Sequence, residues 1–348
     1  MSGSQKLGVV VIGRNEGERL ARCLASVRAI PQRVYVDSGS TDGSVELARA
    51  EGMAVIELTT PPYFTAARAR NAGLTQLLTE APDLEFVQMV DGDCEVQPRW
   101  IESAVAFLGK DPHLALVFGR RRERYPQRSI YNALCDDEWN VPVGAASGVG
   151  GDALFRVSAL REVEFYNAAM IAGEDMELAM RLRKSGWQLC RIDAEMTLHD
   201  VNITRFGQWW NRARRAGHAY GEVALLHPDV HEPDWPGSVR HIVLWGVGVP
   251  AITSIAALLA LTIDSRWWFA AALPLLACFL NMVRLARRQQ RRGLSAPLAR
   301  ASAFYLMLAK LPQLLGLISY YRDRLSGRAS HLIEYKAAAR QSAAARRQ

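Results

Sequence analysis

The stretch 241–283 limits what this chain can become more than any other. After His241 its only charges are Asp264 and Arg266, and both sit in the three-residue break between the apolar runs "HIVLWGVGVPAITSIAALLALTI" and "WWFAAALPLLACFLNMV". About 20 apolar residues in a helix cross a bilayer, so the first run is long enough to span and the second just long enough. Paired Trp267 and Trp268 stand where interfacial aromatics belong, and the segment is expected to form a helical hairpin with a minimal outer turn. The following loop, "RLARRQQRRGLSAPLAR", carries six Arg, which the positive-inside rule keeps on the side of the residues preceding the hairpin. A third apolar stretch, 301–321, is interrupted by Lys310, Pro312 and Gln313, so a kinked helix lying in the interface is expected there in preference to a third span.

Charge follows the same division. From Arg284 onward 12 Arg and 2 Lys face 2 acids, a net of +12, which leaves −5 of the overall +7 for the first 283 residues. A basic tail beside two spans suits a membrane surface better than a nucleic acid. The N-terminal "MSGSQKLGVVVIGRNEGERL" has an apolar run too short for a signal-peptide core, and the five cysteines form no CxxC pair, so a cytosolic body without thiolate-bound zinc is expected. The organisation is then a body at 1–235, a membrane hairpin at 236–285 and a basic tail at 286–348 with an interfacial helix at about 301–321.

Within the body, short apolar runs at 7–12, 34–36, 53–58, 84–90 and 114–118 alternate with helix-periodic stretches at 18–29, 44–51, 66–78 and 98–108. Such alternation predicts an α/β fold, a mainly parallel sheet with helices on both faces, and ligands beyond the carboxyl ends of its strands. Polar sequence collects at that edge: "GRNEGE" after the first strand, "DSGSTDGS" after the second and "DGD" after the fourth. No GxGxxG follows the first strand and no GxxxxGK[ST] occurs, which removes dinucleotide and P-loop chemistry. Asp91 and Asp93, one residue apart at a strand-to-loop transition, can face one hard cation, Mg²⁺ or Mn²⁺, whose oxygen ligands would include substrate phosphates. The amphipathic "TRFGQWWNRARRAGHAY" sets Trp209 and Trp210 among Arg205, Arg212, Arg214 and Arg215 just before the first span, where a lipid headgroup or lipid diphosphate fits the location.

The ordered motifs "VVVIGRNE", "VYVDSGSTDGS", "ARARNAGL", "VDGDCE", "GGDALFRVSAL" and "GEDMELAMRLRKSGW" resemble the family 2 glycosyltransferases, which have the GT-A fold and move a sugar from a nucleotide-diphosphate donor. The resemblance covers about the first 215 residues. It implies that Arg14, Glu16 and Asp37 line the nucleoside pocket, that Arg70 reaches the diphosphate, and that Asp91 serves the donor. Asp93, Asp91 and His199 would hold the metal. Asp175, supported by Glu174, would be the general base that deprotonates the acceptor hydroxyl. Gly151 and Asp152 match the acceptor-side loop, and Trp209 and Arg212 are expected to meet the acceptor at the membrane.

Each role has a plainer reading beside it: Asp37 and Asp42 as turn residues, Arg70 as a helix-surface cation, Glu174 and Asp175 as helix-cap acids, and His199 as a strand-end group bonded to backbone. Processive members carry QxxRW, whereas Gln208 is followed here by Trp209, Trp210 and Asn211, with Arg212 one place late; two spans also leave too little protein for a polymer channel. The expectation is an inverting, metal-dependent transferase at a bacterial inner membrane, its catalytic domain in the cytosol. It would take an NDP-sugar, UDP-sugar favoured, and a lipid-linked saccharide acceptor in cell-surface polysaccharide assembly. A polyprenyl-phosphate glycosyltransferase and a catalytically silent nucleotide-sugar sensor are the alternatives.

Overall fold

The computed structural model describes residues 6–59, 64–228 and 236–327. They divide into two compact units, one of residues 1–126 and 135–202 and one of 127–134 and 203–348.

The first unit is built on a mixed sheet. β1 (Leu7–Gly13) is a run of β-branched residues buried on both faces, with Val9, Val10 and Val11 fully enclosed. It pairs in parallel with β2 (Gln32–Asp37) on one side, after the crossover helix α1 (Glu18–Ser26). The helix α2 (Ser44–Ala50) then leads to the parallel edge strand β3 (Ala54–Glu57), and α3 (Ala66–Glu80) returns the chain to β4 (Phe86–Asp91), parallel to β1 on its other side. Right-handed crossovers of this kind place the three loops after β1, β2 and β4 along one edge.

Beyond β4 the sheet becomes mixed. β5 (Cys94–Val96), α4 (Trp100–Leu108) and β6 (Leu114–Glu123) are followed by α5 (Ile130–Glu138), the short β7 (Gly144–Ala145), β8 (Ala153–Arg156), α6 (Val157–Glu162), α7 (Glu174–Lys184) and β9 (Gln188–His199). The strand order is β3-β2-β1-β4-β8-β6-β9-β5, with β7 on β9; β8 runs antiparallel to both β4 and β6, while β6 and β9 are parallel. The sheet and helix layers are those the sequence predicts, with one consequential difference. β6 does not stop at Phe118 but continues through Arg120, Arg121 and Arg122 to Glu123, because its polar end pairs with the long β9. Three consecutive Arg hide a strand from a reading based on apolar runs, yet inter-strand hydrogen bonds need no apolar side chain.

The second unit contains α8 (Phe206–Leu226), α9 (Pro236–Val243), a π-turn at Leu244–Gly248, α10 (Val249–Thr262), α11 (Trp267–Arg291), α12 (Ala296–Leu308) and α13 (Lys310–Leu325). Among the described residues, three helical stretches, Val239–Thr262, Trp267–Arg291 and Ala296–Leu325, are long and apolar enough to cross a membrane. α8 belongs to this unit. It packs on α13 so closely that a Cβ on Gly217 would lie 1.9 Å from the Gln313 carbonyl oxygen, and one on Gly316 1.9 Å from that of Arg214. Gly217→Val is therefore expected to destabilise the full chain by about 3 kcal/mol, at the upper end of overpacking penalties, since backbone rather than a movable side chain opposes the new methyls. A thermal melt of the detergent-solubilised protein measures it.

Candidate active site

At the edge where β1, β2 and β4 end, the turn chemistry is explicit. Asn15, at φ 58, accepts from the Thr41 amide through Oδ1 at 2.7 Å and so ties the β1 loop to the β2 loop. Asp42 accepts from the Gly17 amide at 3.1 Å and from the Ser44 hydroxyl at 2.6 Å, which makes it a turn residue just ahead of the Gly43 cap of α2. Asp37 is buried; one oxygen accepts from the Ser40 amide at 2.7 Å and the other from the Tyr35 hydroxyl at 3.0 Å. Glu16 pairs with Arg19 at 2.7 Å, and Arg14 lies exposed over the Phe64 ring at 5.4 Å. These positions form one polar rim.

The end of β4 carries the denser cluster. Asp91 is gripped on both oxygens: Arg70 donates to one at 2.9 Å and Arg121 to the other at 3.1 Å. Burial pushes the Asp91 carboxyl up, but the two guanidinium groups outweigh it and hold it below the usual carboxylate range. Arg70 comes from α3, whose N-cap Thr65 accepts the Arg68 amide at 3.2 Å. Its other nitrogen bonds Glu174 at 2.7 Å and stands 3.0 Å from Asp175, so a single buried guanidinium joins the strand-end carboxylate to both acids of α7. Those acids are presented by Gly173, whose left-handed φ of 80° turns the chain into the helix. Asp175 is pushed up to about 8, first by burial, then by Glu174 and Asp91, with Arg70 opposing.

Asp93 faces a different partner. Register pairing of β5 with β9 sets Cys94 opposite His199, and the His199 Nε2 lies 3.0 Å from Asp93 Oδ2, with both side chains buried. Asp93, Cys94 and His199 offer ligand atoms within 4.8 Å of one another, and a carboxylate with an imidazole suits Mn²⁺. A second grouping of Asp91, Cys94 and Asp152 is as compact, but the Arg121 guanidinium sits on it, 3.2 Å from the Cys94 sulfur and 3.1 Å from Asp91. The geometry thus offers Asp93 and His199 to a cation and gives Asp91 to the arginines.

Asp152 is a hub rather than a rim group. It accepts the Asp91 amide at 3.0 Å and the Thr197 hydroxyl at 2.9 Å, and lies 3.4 Å from Arg121. Gly151 is essential to the packing: a Cβ there would meet Asp91 Oδ2 at 2.5 Å and Arg70 Nη2 at 2.6 Å. Gly151→Ala is expected to spread the Arg70–Asp91 pair and to lower turnover about 100-fold, the scale of small misplacements in a reacting site, measurable by product release beside a melting curve that stays cooperative.

The sequence reading missed two residues. Arg121 is one, concealed in the polar end of β6. Trp139 is the other, tilted over His199 with ring centroids 4.7 Å apart and lying 5.0 Å from the Arg121 guanidinium carbon. Nothing in "DDEWNVPV" signals that role; only the fold brings it there. Trp209 and Arg212 belong to the second unit, where Trp209 packs against Tyr131, Phe206 and Tyr305 at centroid distances of 6.2, 5.5 and 5.0 Å.

A GT-A-like sheet with an Asp-Gly-Asp turn at the end of β4 and an acidic pair opening α7 agrees with the family models. Residues 8–162 match "Glycosyl transferase family 2" and residues 137–283 match "Glycosyl transferase family group 2". The chain belongs to glycosyltransferase family 2. Among curated relatives it is 29% identical over 237 residues to the pre-mycofactocin glycosyltransferase of Mycobacterium tuberculosis, covering 65% of this chain and 49% of that protein. It is 31% identical over 120 residues to glucomannan 4-beta-mannosyltransferase 7 of Arabidopsis thaliana, covering 31% of this chain and 21% of that one. The chain thus spans about half the length, or less, of the curated relatives it matches. Among solved structures, the mannosyltransferase PcManGT from Pyrobaculum calidifontis, in complex with GDP-Man and Mn²⁺, superposes with a TM-score of 0.57 at 18% identity, over 92% of this chain and 88% of that one. That likeness establishes the GT-A fold.

Proposed function

We propose that the chain transfers a sugar from a nucleoside-diphosphate sugar to a hydroxyl of a lipid-linked saccharide, with inversion and with Mg²⁺ or Mn²⁺ bound. The observation that carries this reading is the bridge from Asp91 through Arg70 to Glu174 and Asp175, which sets a raised-pKa carboxylate beside the strand-end site where family members bind their donors. Asp175 would take the proton of the acceptor hydroxyl as its oxygen bonds to the sugar's anomeric carbon and the bond to the diphosphate breaks. Arg70 and Arg121 supply fixed positive charge at the cleft, where a diphosphate gains negative charge as it leaves. Asp93 and His199 would hold the divalent ion, whose contribution when bound is Lewis-acid stabilisation of that leaving diphosphate.

The apolar helices would keep the active site at the cytosolic face of a bacterial inner membrane and raise the effective concentration of a lipid-borne acceptor in cell-surface polysaccharide assembly. The donor panel that tests this contains UDP-sugars, the class favoured from sequence, and GDP-mannose, the ligand of the solved relative. Detergent-purified protein with Mn²⁺ is expected to release nucleoside diphosphate from one donor in response to one polyprenyl-linked saccharide. Release that responds instead to the bare polyprenyl phosphate would replace the acceptor reading, and failure of every donor to bind would overturn the function.

A further inference from the structure

The third apolar stretch meets the length and hydropathy of a span, but its surroundings do not suit one. Along α13, Pro312, Gln313, Gly316, Leu317, Tyr320 and Asp323 are buried, while Leu311, Leu315, Ile318 and Leu325 are 41%, 48%, 52% and 88% exposed. The helix is thus two-faced, and its inner face lies against α8 through the Gly217 and Gly316 crossing, where the backbones touch. α8 carries Arg212, Arg214, Arg215 and Glu222. Passage of α13 through the hydrocarbon would take this locked partner with it, and three arginines at bilayer depth are strongly disfavoured.

The contacts of the same stretch with the two longer apolar helices agree. Ser302 bonds Gln289 at 2.9 Å and Met307 lies 3.2 Å from Asn281, so α12 runs beside the basic end of α11 and reaches about one turn past Arg284. Gly246, in the first half of the first apolar helix, packs on the start of α13: a Cβ there would lie 3.2 Å from the Lys310 carbonyl oxygen and 3.4 Å from Leu314. At these contacts α12 and the start of α13 meet the near halves of the two spans. The arginines at 284, 287, 288, 291 and 292 give that level the positive charge that headgroup phosphates attract.

We propose that α8 and α13 form a helix pair lying in the plane of the membrane, seated on the bilayer surface by the exposed apolar row Leu311, Leu315, Ile318 and Leu325, so that the described residues cross twice and Gly327 emerges on the same side as Val239. The pair is a surface for lipid. It also fixes the level of α8, which continues directly from the residues after β9.

Nitroxide labels test this on the full chain, with Cys190 and Cys278 replaced by serine and single cysteines introduced as Leu311→Cys, Leu315→Cys, Ile318→Cys and Leu325→Cys. In vesicles of phosphatidylethanolamine and phosphatidylglycerol, oxygen and nickel-complex accessibilities are expected to report one shared shallow depth at all four positions. A depth that changes steadily by about 1.5 Å per residue from 311 to 325 would overturn the proposal. A second measurement needs no depth scale: Ser326→Cys and Arg287→Cys are expected to react with a membrane-impermeant maleimide from the same side of sealed vesicles. Reaction from opposite sides would establish a third span.

Discussion

Asp93→Ala is expected to abolish Mn²⁺ binding and to lower kcat/KM about 1,000-fold, the scale on which removal of preorganised charge stabilisation is felt. Asp91→Asn, two residues earlier in the same Asp-Gly-Asp turn, is expected to leave Mn²⁺ binding in place and to damage turnover alone. The contrast follows from geometry: Asp93 stands 3.0 Å from His199 in a buried N/O donor pair, whereas each oxygen of Asp91 already carries a guanidinium. Mn²⁺ titration followed by electron paramagnetic resonance separates the two variants without reference to activity. Equal loss of metal binding in both would show that Asp91 leaves its arginines to ligate the ion, and would reverse the division of labour.

Asp175→Asn is expected to cut kcat by roughly 100- to 10,000-fold with little change in donor affinity, as removal of a general base does. The pH dependence gives a sharper expectation. A base must be ionised, and burial pushes Asp175 up to about 8, so the rate should climb through that pH and fall about tenfold per unit below it. Arg70 favours the ionised form; Arg70→Gln is expected to move this limb to higher pH, beyond its effect on the maximum rate. Stability moves the opposite way to activity. The folded state holds a proton on Asp175 that the unfolded chain, with a carboxyl near about 3.9, releases, so this group's contribution to stability is present at low pH and is lost as pH rises through 8. Asp175→Asn should remove that decline, and melting curves at pH 6 and pH 9 measure it.

Much of the site was legible because its residues are local in sequence. Asp91 and Asp93 end a buried apolar run, and Glu174 and Asp175 open a helix whose apolar positions recur with helical spacing, so each pair's backbone setting follows from a few neighbouring residues. Arg121 and Trp139 were not legible, because neither has a local signature. Arg121 acquires its place from the pairing of β6 with β9, and Trp139 from a turn that folds it over His199. The sequence leads to an expectation that Arg70 reaches a diphosphate, but its threefold contact with Asp91, Glu174 and Asp175 depends on bringing positions 21 and 104 residues away to one point.

By itself the sequence determined the alternation of strands and helices, the family, and the presence of membrane-seeking helices, since apolar periodicity and 20-residue apolar runs are properties of neighbouring residues. Tertiary structure alone decided which carboxylate of the Asp-Gly-Asp turn the arginines hold and which one faces His199, and what α13 touches. Both depend on which charged groups lie close in space, and electrostatic and packing energies are set by those distances rather than by position along the chain.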